Sequence, residues 1–157
     1  MTPALHADVR ALAFLLGRWE GAGEGVWPPG GPFRYGEQMT FEHVSDAFLL
    51  YAQRSWSAED DSPLHFERGF LRPGSEGRVE IALAHPLGIV EVAEGTLAGR
   101  VLEVASTGLA RSATGSPVTS LRRRIEVADD ALRYELWMAT SGGALARHLV
   151  GELRRVA

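Results

Sequence analysis

A chain of 157 residues with 45% hydrophobic content can bury one sizeable core or close one barrel around a cavity, so residues 1–157 are expected to form a single domain. All 16 basic residues are arginine and no cysteine is present, which excludes lysine Schiff bases, P-loop lysines, disulfides, thiolate nucleophiles, zinc fingers and iron–sulfur ligation. The net charge of −4 argues against a nucleic-acid partner held through phosphates, and the apolar N-terminal stretch is too short to span a bilayer and has no basic leader, so a cytoplasmic, membrane-free protein is expected.

In chain order, Pro3 to Leu16 sets Leu5, Val9, Leu12, Leu15 and Leu16 at roughly helical spacing and predicts a short amphipathic helix able to plug one end of a barrel. Glycine and proline clusters then fall at 28–32, 73–77, 86–88, 115–117 and 142–143, with runs of strand length between them. The first run carries Gly21, Gly23 and Gly25 on one face, between Trp19 and Trp27. Three successive positions without side chains admit a neighbouring backbone or a flat ligand, or serve a bend that closes a barrel. The same "GAGEG" is not a dinucleotide loop, because Val26 breaks the G-x-G-x-x-G spacing. Further on, Val79, Ile81, Leu83 and His85 alternate against Arg78, Glu80 and Ala82. Leu132, Tyr134, Leu136 and Met138 alternate against Arg133, Glu135 and Trp137. Counting such runs gives about ten strands without a repeat or linker, and predicts an all-β fold built as one closed or nearly closed antiparallel barrel.

The last run, "ALARHLVGELRRVA", also fits helical spacing through Leu145, Leu149 and Leu153, but the Gly142-Gly143 turn favours a hairpin strand. Alternation then puts Ala144, Ala146, His148 and Val150 on one face. A buried imidazole without a partner costs roughly 1 to 3 kcal/mol, so a hydrogen bond, a metal or a ligand should hold His148. No G-x-S-x-G, H-E-x-x-H or Walker sequence is present, and the five histidines (His6, His43, His65, His85, His148) lie too far apart in sequence to suggest a local multi-histidine metal site.

Gly17-Arg18-Trp19-Glu20-Gly21-Ala22-Gly23 matches a G-x-W-x-G-x-G signature. It is followed in order by "FRYGEQMTF", "LHFERGFLR", "LAHPLGIVEVAEG", "LRYELWMA" and "RHLVGELRRV". From about Leu15 to Val156 this series resembles the nitrobindin family, compact antiparallel barrels of the lipocalin and fatty-acid-binding-protein kind. The resemblance implies one ferric haem b per chain, with its iron bound axially by His148, the matching C-terminal histidine. It also implies binding of nitric oxide and isomerisation of peroxynitrite to nitrate. The family's distal wall carries over onto Leu64, His65, His85 and Met138. Alternation independently turns His85 and Met138 inward, whereas His65 shares its face with Glu67 and equally suits a rim position paired with a carboxylate. Two departures stand out. Trp27-Pro28-Pro29 replaces a frequent Tyr-Pro-Thr, and Thr114-Gly115-Ser116 stands where a lysine is common. Arg123 alternates with Leu121, Ile125 and Val127 and could substitute as a cation, but within the run Arg122 to Arg124 it is expected to be solvated. The rival reading is a carrier of a fatty acid or other small apolar molecule, with His148 a hydrogen-bonded cavity residue and no iron.

Overall fold

In the computed structural model, residues 3–27 and 30–157 are described, so Pro28 and Pro29 of the Trp27-Pro28-Pro29 departure lie outside the described residues. Ten strands follow one another: β1 (Gly17–Trp27), β2 (Gly31–His43), β3 (Leu49–Ser57), β4 (Pro63–Pro73), β5 (Arg78–His85), β6 (Ile89–Ala98), β7 (Val101–Arg111), β8 (Val118–Ala128), β9 (Ala131–Thr140) and β10 (Ala146–Arg155). Each pairs antiparallel with its neighbours in sequence, and β1 closes the barrel on β10. Closure pairs the two strands that would otherwise be edges. Among the described residues, no helix is long and apolar enough to cross a membrane.

The N-terminal helix forms, but as a 3₁₀ helix over Ala7–Leu15. Its buried residues are Val9, Leu12 and Leu15, spaced three apart, so a period of 3.0 puts all three on one line and the tighter helix buries them better than 3.6 would. That line packs into the core with Trp19, Phe41, Leu49, Leu71, Leu102, Leu132 and Leu153 and closes one end of the barrel. The Trp19 indole N–H donates to the Leu15 carbonyl at 2.8 Å, fixing helix to strand.

The other end is irregular. Four register shifts interrupt the ladders, leaving one extra residue each at Leu64, Thr107, Thr119 and His148, and all four lie toward this end. In addition, β7 and β8 pair only from Val101–Ala105 to Arg122–Glu126 and splay beyond. Bulges re-aim side chains and loosen pairing, so this half of the barrel can hold a cavity where the other half is packed solid.

Alternation predicts the inward faces of β5 and β9 correctly: Val79, Ile81 and Leu83 are buried, as are Leu132 and Tyr134. It fails in β10. The bulge at His148 resets the register, so the core face below it is Leu149, Gly151 and Leu153, while Ala144 lies before the strand and Ala146 is exposed. Arg123 also corrects expectation: it is buried on the inner face, whereas Arg122 lies exposed over the Trp137 ring and Arg124 pairs with Glu103 and Glu126. Period two acts even within a charged triplet, splitting the run between two faces.

Candidate functional site

A cavity of about 340 Å³ occupies the irregular end. Phe33, Ile89, Val118, Leu121, Leu136 and Met138 give it apolar walls, and Trp27, Leu64 and Leu87 expose apolar side chains around its mouth. Room for it comes partly from the glycines. A Cβ on Gly23 would overlap the Tyr35 ring, and one on Gly151 would overlap Tyr134, so two tyrosines pack directly on bare backbone as the cavity floor. The glycine stripe thus serves close approach rather than phosphate binding. The Tyr35 and Tyr134 hydroxyls meet at 2.6 Å.

His148 sits at the mouth. Its Nδ1–H donates to the Val26 carbonyl across the β1–β10 pair at 2.7 Å, and its ring lies 5.4 Å from Trp27 and 6.2 Å from Phe33. Burial lowers its pKa, the Val26 carbonyl opposes that shift, and His65 adds to it. The ring is therefore neutral at physiological pH, its proton is fixed on Nδ1, and Nε2 keeps a lone pair. A histidine anchored through one nitrogen and free at the other is what an axial metal ligand requires. With apolar walls around it, the donor set fits a haem.

Across the barrel the wall is polar. His65 and His85, separated by 20 residues, stand with Nε2 and Nδ1 3.4 Å apart, because the β4–β5 hairpin brings their strand ends together. Both lie 3.2 Å from Glu67 Oε2. His85 Nε2 donates to Glu91 Oε1 at 2.9 Å. Arg123 joins the carboxylates, giving Nη1 to Glu91 at 2.6 Å and Nη2 to Glu67 at 3.3 Å, and Tyr51 donates to Glu67 Oε1 at 2.7 Å. Burial alone would raise Glu67 and Glu91; facing Arg123, both are instead lowered, Glu67 well below the usual carboxylate range. Nearby Glu37 accepts from Gln53 on Oε2 alone among the described residues, and burial pushes its carboxyl up to about 7.

All five residues singled out from the sequence line this cavity: His148 at the mouth, Leu64 on the rim, Met138 in the apolar wall, His65 and His85 together. The Thr114-Gly115-Ser116 stretch lies beside the mouth, where the Ser116 N–H donates to the Leu87 carbonyl. Sequence reasoning missed Glu67, Glu91 and Arg123 as a unit. Glu91 alternates with Ile89 and Ala93, a signal for an inward carboxylate that hydropathy alone discounts.

A closed antiparallel barrel with an anchored histidine at the mouth of an apolar cavity defines a cofactor- or ligand-binding barrel. Residues 8–155 match the family of the THAP4-like, heme-binding beta-barrel domain, and the chain belongs to that haem-binding, nitrobindin-like family. It is 44% identical to a peroxynitrite isomerase of Nocardia farcinica over 97% of this chain and 93% of that protein. Against peroxynitrite isomerase 2 of Mycobacterium marinum, identity is 43% with 99% of each chain covered. The crystal structure of Rv2717c from M. tuberculosis superposes with a TM-score of 0.90 at 38% identity, covering 98% of this chain and all of that one.

Proposed function

We propose that the protein binds one ferric haem b through His148, isomerises peroxynitrite to nitrate, and takes nitric oxide at the same centre. The observation that carries this reading is the Nδ1–H bond from His148 to Val26, which leaves Nε2 as a neutral donor at the cavity mouth. Family membership and the two peroxynitrite isomerase relatives support it.

When bound, ferric haem supplies a Lewis acid for an anionic oxygen ligand and the electronic flexibility needed to rearrange peroxynitrite into nitrate, its isomer. The chain's own residues do the rest. His148 binds and orients through one nitrogen, and Val26 prevents its ring from turning. Leu121, Val118, Leu136 and Met138 exclude water, so an anion entering the cavity is not captured by bulk proton donors. The far wall holds fixed polar groups, with the His85 ring oriented by its bond to Glu91.

The fatty-acid-carrier reading is disfavoured by Arg123. A carboxylate ligand needs a cation with free capacity, and this buried guanidinium is already shared by Glu67 and Glu91.

His148→Ala tests the proposal. Haem-reconstituted wild type should show a Soret band and speed the conversion of peroxynitrite to nitrate in stopped-flow; the variant should keep its far-UV circular dichroism, bind haem at least about tenfold more weakly with a displaced band, and lose the acceleration. An unchanged band with unchanged turnover would refute His148 as the ligand.

A further inference from the structure

We propose that His65, Glu67 and His85 form a binding site for a divalent transition-metal ion of the zinc class, in the cavity wall opposite His148. The proposal rests on donor geometry and charge in the chain itself and does not depend on haem.

The geometry is that of a ligand set. His65 Nε2, His85 Nδ1 and Glu67 Oε2 make a triangle with edges of 3.2, 3.2 and 3.4 Å. A tetrahedron with edges of about 3.3 Å has its centre about 2.0 Å from each corner, the zinc–nitrogen and zinc–oxygen distance. The spacing of the three donors therefore suits one shared ion. The fourth corner is left for a water or substrate atom, as in catalytic two-histidine, one-glutamate sites. His65, Glu67 and His85 all line the cavity, and β5 lies five strands from β10 around the ten-strand barrel, so this wall faces the one that carries His148.

The hydrogen-bond partners point the same way. Glu91, ion-paired with Arg123, accepts a hydrogen bond from His85 Nε2 and so turns Nδ1 away from itself. His85 Nδ1 then faces Glu67 Oε2 at 3.2 Å in a buried setting. A shared cation, whether a proton or a metal ion, accounts for that separation. Glu67 and Glu91 carry two negative charges against the single positive charge of Arg123, which leaves one negative charge for a further cation to offset. A proton shared with Nδ1 would satisfy one pair of atoms, whereas a divalent ion satisfies all three donors together.

The surrounding groups are those that orient metal ligands. A ligating histidine usually donates its other N–H to a carboxylate, as His85 does to Glu91. The ligating carboxylate is fixed in turn, because Tyr51 holds Glu67 Oε1 and Arg123 reaches Oε2. Sequence separation hid this arrangement: the histidines are scattered along the chain and meet only across the hairpin.

The probe is Co²⁺ added to the haem-free protein. One equivalent should produce the visible ligand-field bands of a low-coordinate cobalt site, and one equivalent of Zn²⁺ should abolish them. His65→Ala, at a partly exposed position that the fold can spare, and His85→Ala should each weaken cobalt binding by more than about tenfold; Glu91→Gln, which leaves all three ligands but loosens the His85 ring, should weaken it by about ten- to hundredfold. His148→Ala should leave the cobalt bands in place while altering haem binding, so failure of the haem reading and failure of this one give different spectra. Absence of the bands with folded wild type in excess cobalt, or bands that survive both histidine variants, would overturn the proposal and leave the cluster as a proton-sharing network.

Discussion

At the closed end of the barrel Leu15, Trp19, Leu49, Leu102, Leu132 and Leu153 are almost wholly buried against one another, whereas at the open end the same sheet turns Tyr35, Glu67 and Arg123 toward the cavity and buries Glu37 and Glu91 behind it. The closed end has unbroken register and a helix for a plug; the open end has four bulges, two splayed strands and an exposed apolar rim. One end is filled and supplies cohesion through buried apolar area. The other gives up packing for fixed polar groups and a cavity, and relies on the first to hold its geometry.

The sharpest way to break that division is Trp19→Ala. Removing a fully buried indole and its bond to Leu15 should cost about 3 to 5 kcal/mol in urea denaturation. The Soret band of haem-loaded protein should not move below the unfolding transition; a shift there would show that the ends are coupled.

Glu37→Gln probes the cost of the open end. Burial raises the folded carboxyl from 4.5 to about 7, so the native state holds a proton that the unfolded chain releases, and wild-type stability must fall as pH rises between those values. The loss should reach about 3 kcal/mol above the upper value. The variant, unable to ionise, should match wild type near about pH 4 and exceed it by about that amount near about pH 8; a stability difference independent of pH would contradict the assignment. Glu67 behaves oppositely, because Arg123 favours its charged form: its contribution is present above the unfolded value of 4.5 and is lost as pH falls through the depressed folded value.

Gly23→Val should cost about 1 to 3 kcal/mol, since the added side chain must displace the Tyr35 ring from the cavity floor. Haem uptake should fall with it. Full uptake in a destabilised variant would mean that the floor is not part of the binding surface.

The smallest effect on stability belongs to His148→Ala, about 1 kcal/mol or less for the bond to Val26. Its thermal midpoint should stay near that of wild type even though the haem spectrum changes. Trp19→Ala and His148→Ala are thus mirror images, and a variant pair that failed to separate stability from spectrum would erase the distinction between the ends.

Much of the fold was legible in the residues. The punctuation by glycine and proline marks ten strands, and inward faces such as Val79, Ile81 and Leu83 follow from period two alone. The helix was legible in place but not in type, because Val9, Leu12 and Leu15 suit both 3.0 and 3.6 residues per turn over so short a length. In the site, Glu67 was visible beside His65 on one strand face. Arg123 was not, because a triplet of arginines looks solvated until two carboxylates from β4 and β6 are found waiting inside.

What the sequence by itself determined is local: strand rhythm, the alternation of faces, the helix that precedes them, and the signature segments that mark the family. Only the tertiary structure decided the rest. The extra residue at His148 aims that ring at the cavity against simple alternation, and closure of β1 on β10 brings the Val26 carbonyl to its Nδ1. The hairpin joins His65 to His85, and curvature of the sheet sets Arg123 between Glu67 and Glu91, which reverses the direction in which burial alone would move those carboxylates. The physical reason is range: backbone preference and periodicity act between residues a few positions apart, whereas desolvation, ion pairing and ligand geometry depend on distances that exist only once the barrel has closed.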